Sequence, residues 1–69
     1  MKAISGKLLC KIVEHNGWKL KRITGNHRIY VKEGVDAILS IPVHSHRDLP
    51  KGTLKSIMKD AELTEDDLG

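Results

Sequence analysis

Two alternating runs set most of what this chain can fold into. Trp18-Lys19-Leu20-Lys21-Arg22-Ile23 and Arg28-Ile29-Tyr30-Val31-Lys32 each interleave apolar and polar residues, the period of a half-buried strand, and only Thr24-Gly25-Asn26-His27 lies between them. Gly25 and Asn26 both tolerate positive φ, so the link reads as a tight turn and the pair as an antiparallel hairpin. A second turn is expected at Lys32-Glu33-Gly34, leading to a third strand, Ala37-Ile38-Leu39-Ser40-Ile41-Pro42-Val43. Pro42 has no N–H to donate, which puts it at a sheet edge or at the end of the paired stretch.

Helical patterns flank the strands. Ser5 suits an N-cap, Leu8, Leu9, Ile12 and Val13 follow at helical spacing, Ile4 and Leu9 form a hydrophobic staple, and Gly17 stops the helix. A second helix is expected from Leu49-Pro50 to about Ala61 or Glu62, with Leu54, Ile57, Met58 and Ala61 as its apolar stripe. Lys51, Lys55 and Lys59 recur every four residues and share one flank, about 6 Å apart along the axis, a row that can follow a phosphate backbone or simply face solvent. The order predicts an α+β fold of two layers, α-β-β-β-α, in which a three-stranded antiparallel sheet carries both helices on one face and leaves the other open.

A chain of 69 residues is one domain near the lower limit of a self-sufficient core. Its one cysteine, Cys10, excludes an internal disulfide and points to a reducing compartment. No apolar run approaches the roughly 18 residues of a membrane span, and no leader pattern is present, so the chain is expected to be complete, cytoplasmic and without a membrane partner. Thr64 to Gly69 reads as a short acidic tail, expected to fray.

Charge position matters more than net charge. The total is +3, but Glu62, Glu65, Asp66 and Asp67 are all at the end, so residues 1–61 carry 12 basic and 5 acidic side chains, a net of +7. That body favours a polyanion, nucleic acid before a membrane surface, because no basic helix with an aromatic edge is present.

The turn accounts for Gly25 and Asn26 but not for His27. Histidine, with an ordinary pKa of about 6.5, can give or take a proton near neutral pH. His44-Ser45-His46 with His27 offers three nitrogens, yet no carboxylate or thiolate stands at ligand spacing, so no metal and no other cofactor is expected. His15 and His46 are read as surface residues, Trp18 as core, and Cys10 as lying off the apolar stripe of the first helix with nothing to activate its thiol.

Four blocks in order carry a resemblance: Ser5-Gly6-Lys7 with Gly17-Trp18, then Gly25-Asn26-His27, then Ile41-Pro42-Val43-His44, then "LPKGTLKSIMKDAEL" from Leu49 to Leu63. Together they resemble the HicA family, small toxins of bacterial and archaeal toxin–antitoxin modules, over about residues 4–63. The resemblance makes residues 1–63 the HicA-like domain and 64–69 a tail. It implies a fold like the double-stranded-RNA-binding domain and activity as an mRNA endonuclease whose catalytic histidine falls on His27. The chain departs from the family pattern at Asn26, where serine is usual, and at Arg28, where a second histidine is common. His44 matches a position often held by histidine.

Cutting RNA without a metal needs a base for the ribose 2′-hydroxyl, an acid for the leaving 5′-oxygen, and cationic donors for the charge that builds on phosphorus. His27 fits as general base, or as base and acid in turn. Arg28 and Lys19, Lys21 or Lys51 fit as phosphate donors; Gly25, Asn26, His44, Lys55 and Lys59 complete the expected substrate surface, and Tyr30 either stacks on a base or ribose or packs half-buried in the sheet, the commoner place for a strand tyrosine. Products would be a 2′,3′-cyclic phosphate and a 5′-hydroxyl. A non-catalytic RNA-binding module, and a domain working mainly through a protein partner, are the competing readings. The resemblance also implies a HicB-type antitoxin that covers the basic surface, a surface the acidic tail would otherwise cover weakly in the free protein.

Overall fold

A computed structural model describes residues 3–68. The elements run α1 (Gly6–His15), β1 (Lys19–Thr24), β2 (His27–Lys32), β3 (Val35–Pro42) and α2 (Lys51–Ala61), closed by a 3₁₀ turn at Glu65–Leu68. The strands form one antiparallel sheet in the order β1-β2-β3. This is the α+β order that the sequence predicts. The third strand begins two residues earlier and ends one earlier than expected, on Pro42, at the end of an edge strand where a missing N–H costs no ladder bond.

Burial alternates along β2 and β3. Tyr30, Leu39 and Ile41 are buried on the face the helices cover, while His27, Ile38 and Ser40 are exposed on the other. Ile4, Leu9, Val13, Trp18, Leu49, Leu54, Ile57, Met58 and Ala61 join them in the core between sheet and helices, with Cys10 and Leu68. Each buried Leu, Ile, Val or Met side chain among these contributes about 1.5–3 kcal/mol when taken out of water.

The first helix departs from expectation in its rotation. Ser5 caps it as predicted, its hydroxyl accepting from the Leu8 amide at 3.1 Å. The buried stripe, however, is Gly6, Leu9, Cys10 and Val13, so Cys10 is 1% exposed and Leu8 is 42% exposed. Gly6 explains the rotation: with no side chain it lies directly against the backbone of Pro42 and Val43, and the helix turns that face inward. Cys10 then packs as a small hydrophobe, and burial raises its thiol pKa above the ordinary value, against smaller lowering effects from Tyr30 and Arg28.

The C-terminal segment is not a frayed tail. Thr64 and Asp67 close a capped turn, the Thr64 amide donating to Asp67 Oδ2 at 2.8 Å and the Asp67 amide to the Thr64 carbonyl at 3.0 Å. Leu68, 6% exposed, joins the core beside α1. This docks the acidic segment on the helix side and away from the open sheet face, where a cover for that face would have to lie. Gly69 is outside the described residues. Among the described residues no helix is long and apolar enough to cross a membrane.

Candidate active site

The hairpin turn between β1 and β2 places its positive φ on Gly25 (56°) and not on Asn26, the pattern of a type II′ turn. The Asn26 carbonyl accepts from the Val43 amide at 2.7 Å, so the turn is tied to the chain leaving β3. That bond brings His44, one residue on, to the same end of the sheet as His27. His44 itself opens a turn closed by the Arg47 amide on the His44 carbonyl at 3.0 Å, with Ser45 in the left-handed region.

His27 is the first residue of β2 and stands exposed on the open face. It pairs with Thr24 on β1 and Pro42 on β3, while Ile29, two residues on, pairs with Arg22 and Ser40. Arg22 and Ser40 are thus the diagonal neighbours of His27 on the two flanking strands, a relation that spans about 7–8 Å between backbones and is bridged by longer side chains. On the β3 side the bridge is made: His27 Nδ1 and Ser40 Oγ are 3.1 Å apart. Nε2 has no partner among the described residues.

A bulge in β1 decides which cations join this face. The register jumps between Leu20 and Arg22, leaving Lys21 without a cross-strand partner, so Lys19 (opposite Val31) and Arg22 (opposite Ile29) share the open face. Strict alternation pairs Lys19 with Lys21 instead, which is why Arg22 is missed when the sequence is read alone. Ser40 is missed for a different reason. Its alternation with buried Leu39 and Ile41 is legible, but its closeness to His27 depends on a register set by the second hairpin, which is itself irregular between Tyr30 and Lys32.

Two expected substrate contacts point elsewhere. Tyr30 is 0% exposed beneath α1 and donates a short hydrogen bond to Glu14, so it has no face to stack on RNA. Burial first, and then the hydrogen bond to Glu14, push its phenol pKa well above the ordinary value. Arg28, adjacent to His27 in the strand, necessarily faces the opposite way; it pairs with Ile23 and Ile41 on the helix side, half-buried near Cys10.

Lys51, Lys55 and Lys59 are exposed on α2, on the helix layer. The opposite flank of α2, with Gly52, Thr53, Ser56 and Asp60, lines a cavity of about 450 Å³ against Ile38, Leu39 and Ser40 of β3. The lysine row therefore looks away from the strand that carries Ser40. Among the described residues no group of three or more His, Cys, Asp or Glu side chains is placed to hold a metal ion.

The fold and this geometry define a small two-layer α+β domain that presents an imidazole at one end of an open sheet face edged by cations. The chain belongs to the HicA toxin family: a family model described as the HicA toxin of bacterial toxin–antitoxin systems matches residues 6–63. It is thus a toxin of a two-component module, with an antitoxin as partner. No curated protein matches it.

Proposed function

We propose that the chain is an mRNA endonuclease in which His27 moves the protons. The observation that carries this reading is the exposed His27 ring, held through Nδ1 and open at Nε2, on the face shared with Arg22 and Lys19. An RNA strand laid across that face brings a ribose 2′-hydroxyl to Nε2. Nε2 takes the hydroxyl proton as the 2′-oxygen bonds to the adjacent phosphorus, the P–O5′ bond breaks, and the leaving 5′-oxygen is protonated, by the same imidazole or by water. Arg22, the diagonal neighbour of His27, opposes the charge that accumulates on the phosphoryl oxygens, a role in which a fixed cation favours the transition state over the ground state, while Lys19, opposite Val31 and farther along the face, holds the strand.

The apolar residues of the open face, Ile29, Val31 and the 56% exposed Ile38, suit a protein cover as well as nucleobases. A HicB-type antitoxin seated there excludes RNA and stabilises so small a core by mass action.

The test is a pair of inductions, wild type and His27→Ala, with growth followed and RNA ends mapped in the same cells. Arrest with new cyclic-phosphate and 5′-hydroxyl ends in the wild type, and neither in the variant, supports the reading. Ends carrying 5′-phosphate reject the chemistry. With the variant shown to be folded, the same new ends in both take the chemistry away from His27, and arrest in both without new ends makes the domain an RNA binder.

A further inference from the structure

We infer that Ser40 is a positioning residue for His27: its hydroxyl accepts from Nδ1–H and so fixes the tautomer in which Nε2 is the basic nitrogen. The assignment rests on His27 being the reacting imidazole.

Neutral imidazole carries one proton, and the nitrogen without it is the base. Nδ1 lies 3.1 Å from Ser40 Oγ, so the nitrogen left for a substrate is Nε2. For Nε2 to accept a proton, Nδ1 must already hold one, and a Nδ1–H needs an acceptor. After Nε2 is protonated, both nitrogens are donors and Nδ1–H needs that same acceptor. A hydroxyl accepting from Nδ1–H therefore serves both states of the cycle without turning round. In the other tautomer Ser40 would donate to Nδ1 and Nε2 would already hold its proton, so Nε2 could not act as base.

The fold makes this arrangement stiff. Ser40 is two residues from the end of β3, bracketed by the buried Leu39 and Ile41, and its partner Ile29 fixes the register two residues from His27. Serine is short and stands on a paired strand, so little side-chain freedom is lost in making the bond. Thr24, the cross-strand partner of His27 on β1, also carries a hydroxyl, but the one that meets the imidazole is that of Ser40 on β3.

The tautomer is read directly by long-range ¹H–¹⁵N correlation spectra of the imidazoles in the free, full-length protein, above the pH at which the rings lose their extra proton. His27 is expected in the Nδ1–H form in the wild type and in Ser40→Thr, which keeps a hydroxyl, and to lose that preference in Ser40→Ala. Cleavage of a long in vitro transcript is then compared: Ser40→Ala lowers kcat by roughly 10- to 100-fold with KM little changed, and Ser40→Thr restores most of it. Thermal unfolding of each variant establishes that the fold is intact.

A wild-type His27 in the Nε2–H form overturns the assignment, as does a Ser40→Ala spectrum identical to the wild type. A changed tautomer with unchanged kcat overturns the positioning role while leaving His27 catalytic. Should His27→Ala cleave as the wild type does, the catalytic reading falls, and with it the role of Ser40 in catalysis; the spectra still decide the hydrogen bond on its own.

Discussion

Gly6, the first residue of α1, lies against the carbonyl of Pro42, the last residue of β3 and the cross-strand partner of His27. A Cβ at Gly6 would overlap that oxygen and come within 3.3 Å of the Val43 Cα, and both neighbours are backbone. The helix thus rests on the strand end beside the candidate site without a side chain between them.

Gly6→Ala is therefore expected to cost about 1–3 kcal/mol, since the helix must lift off the sheet to make room. In a domain of this size each kcal/mol lowers Tm by about 4–8 °C. Gly52 in α2 provides the contrast: nothing lies within 4 Å of its Cβ position, so Gly52→Ala removes only a flexible helix residue and is expected to stabilise by up to about 1 kcal/mol. Urea or thermal unfolding of both variants checks the pair, and a Gly6→Ala protein as stable as the wild type would show that the close approach is not needed.

The same contact explains where the sequence was a good guide and where it was not. Strand alternation, the Gly25-Asn26 turn, the Ser5 cap and the apolar stripe of α2 are local features, and each predicts its element to within a residue or two. The helical pattern of α1 is ambiguous because Leu8 and Cys10 both have apolar neighbours at helical spacing; only the docking of Gly6 on β3 selects the face with Cys10. At the candidate site, His27 is legible as a residue its turn does not require. Arg22 and Ser40 are not, because one depends on a bulge and the other on the register of a distant pair. Tyr30 is legible either as a base-stacking aromatic or as a packing residue of the strand, and the cover of α1 makes it the second.

Tyr30 and Glu14 tie β2 to α1, and the tie has a pH signature. Burial and the Glu14 carboxylate raise the phenol's pKa above its ordinary value near 10. The folded state then holds the proton more tightly than the unfolded state, so this contribution is fully present below about pH 10 and is lost as the pH climbs toward the folded-state value. Tyr30→Phe is expected to lower stability by about 1–2 kcal/mol at neutral pH, and the difference from the wild type should shrink above pH 10. Unfolding curves from pH 7 to 11 test this; a difference constant across that range removes the linkage.

The docked C-terminal turn is expected to contribute through Leu68 and not through its charges. Leu68→Ala should cost about 2 kcal/mol, the low end for a buried leucine, because its pocket is at the edge of the core. Asp66→Ala, exposed on the same turn, should stay within about 0.5 kcal/mol. If removing residues 64–69 left the unfolding midpoint unchanged, Leu68 would not be part of the working core.

The two basic surfaces separate by what they do to RNA. Arg22 and Lys19 share the open face with His27, whereas Lys51, Lys55 and Lys59 lie on the helix layer, on the flank of α2 turned away from β3. A cation beside the scissile phosphate acts on the transition state, so Arg22→Gln should lower kcat. A cation that only holds the strand elsewhere acts on binding. The triple change of the lysine row to glutamine is therefore expected to weaken binding and flatten its salt dependence by up to about 0.7 per lost contact, with kcat unaltered at saturating RNA. Binding measured across a series of salt concentrations, alongside single-turnover cleavage, distinguishes the surfaces. A triple variant with lower kcat would move the chemistry to the helix layer, and an Arg22→Gln protein with full kcat would take Arg22 out of the site.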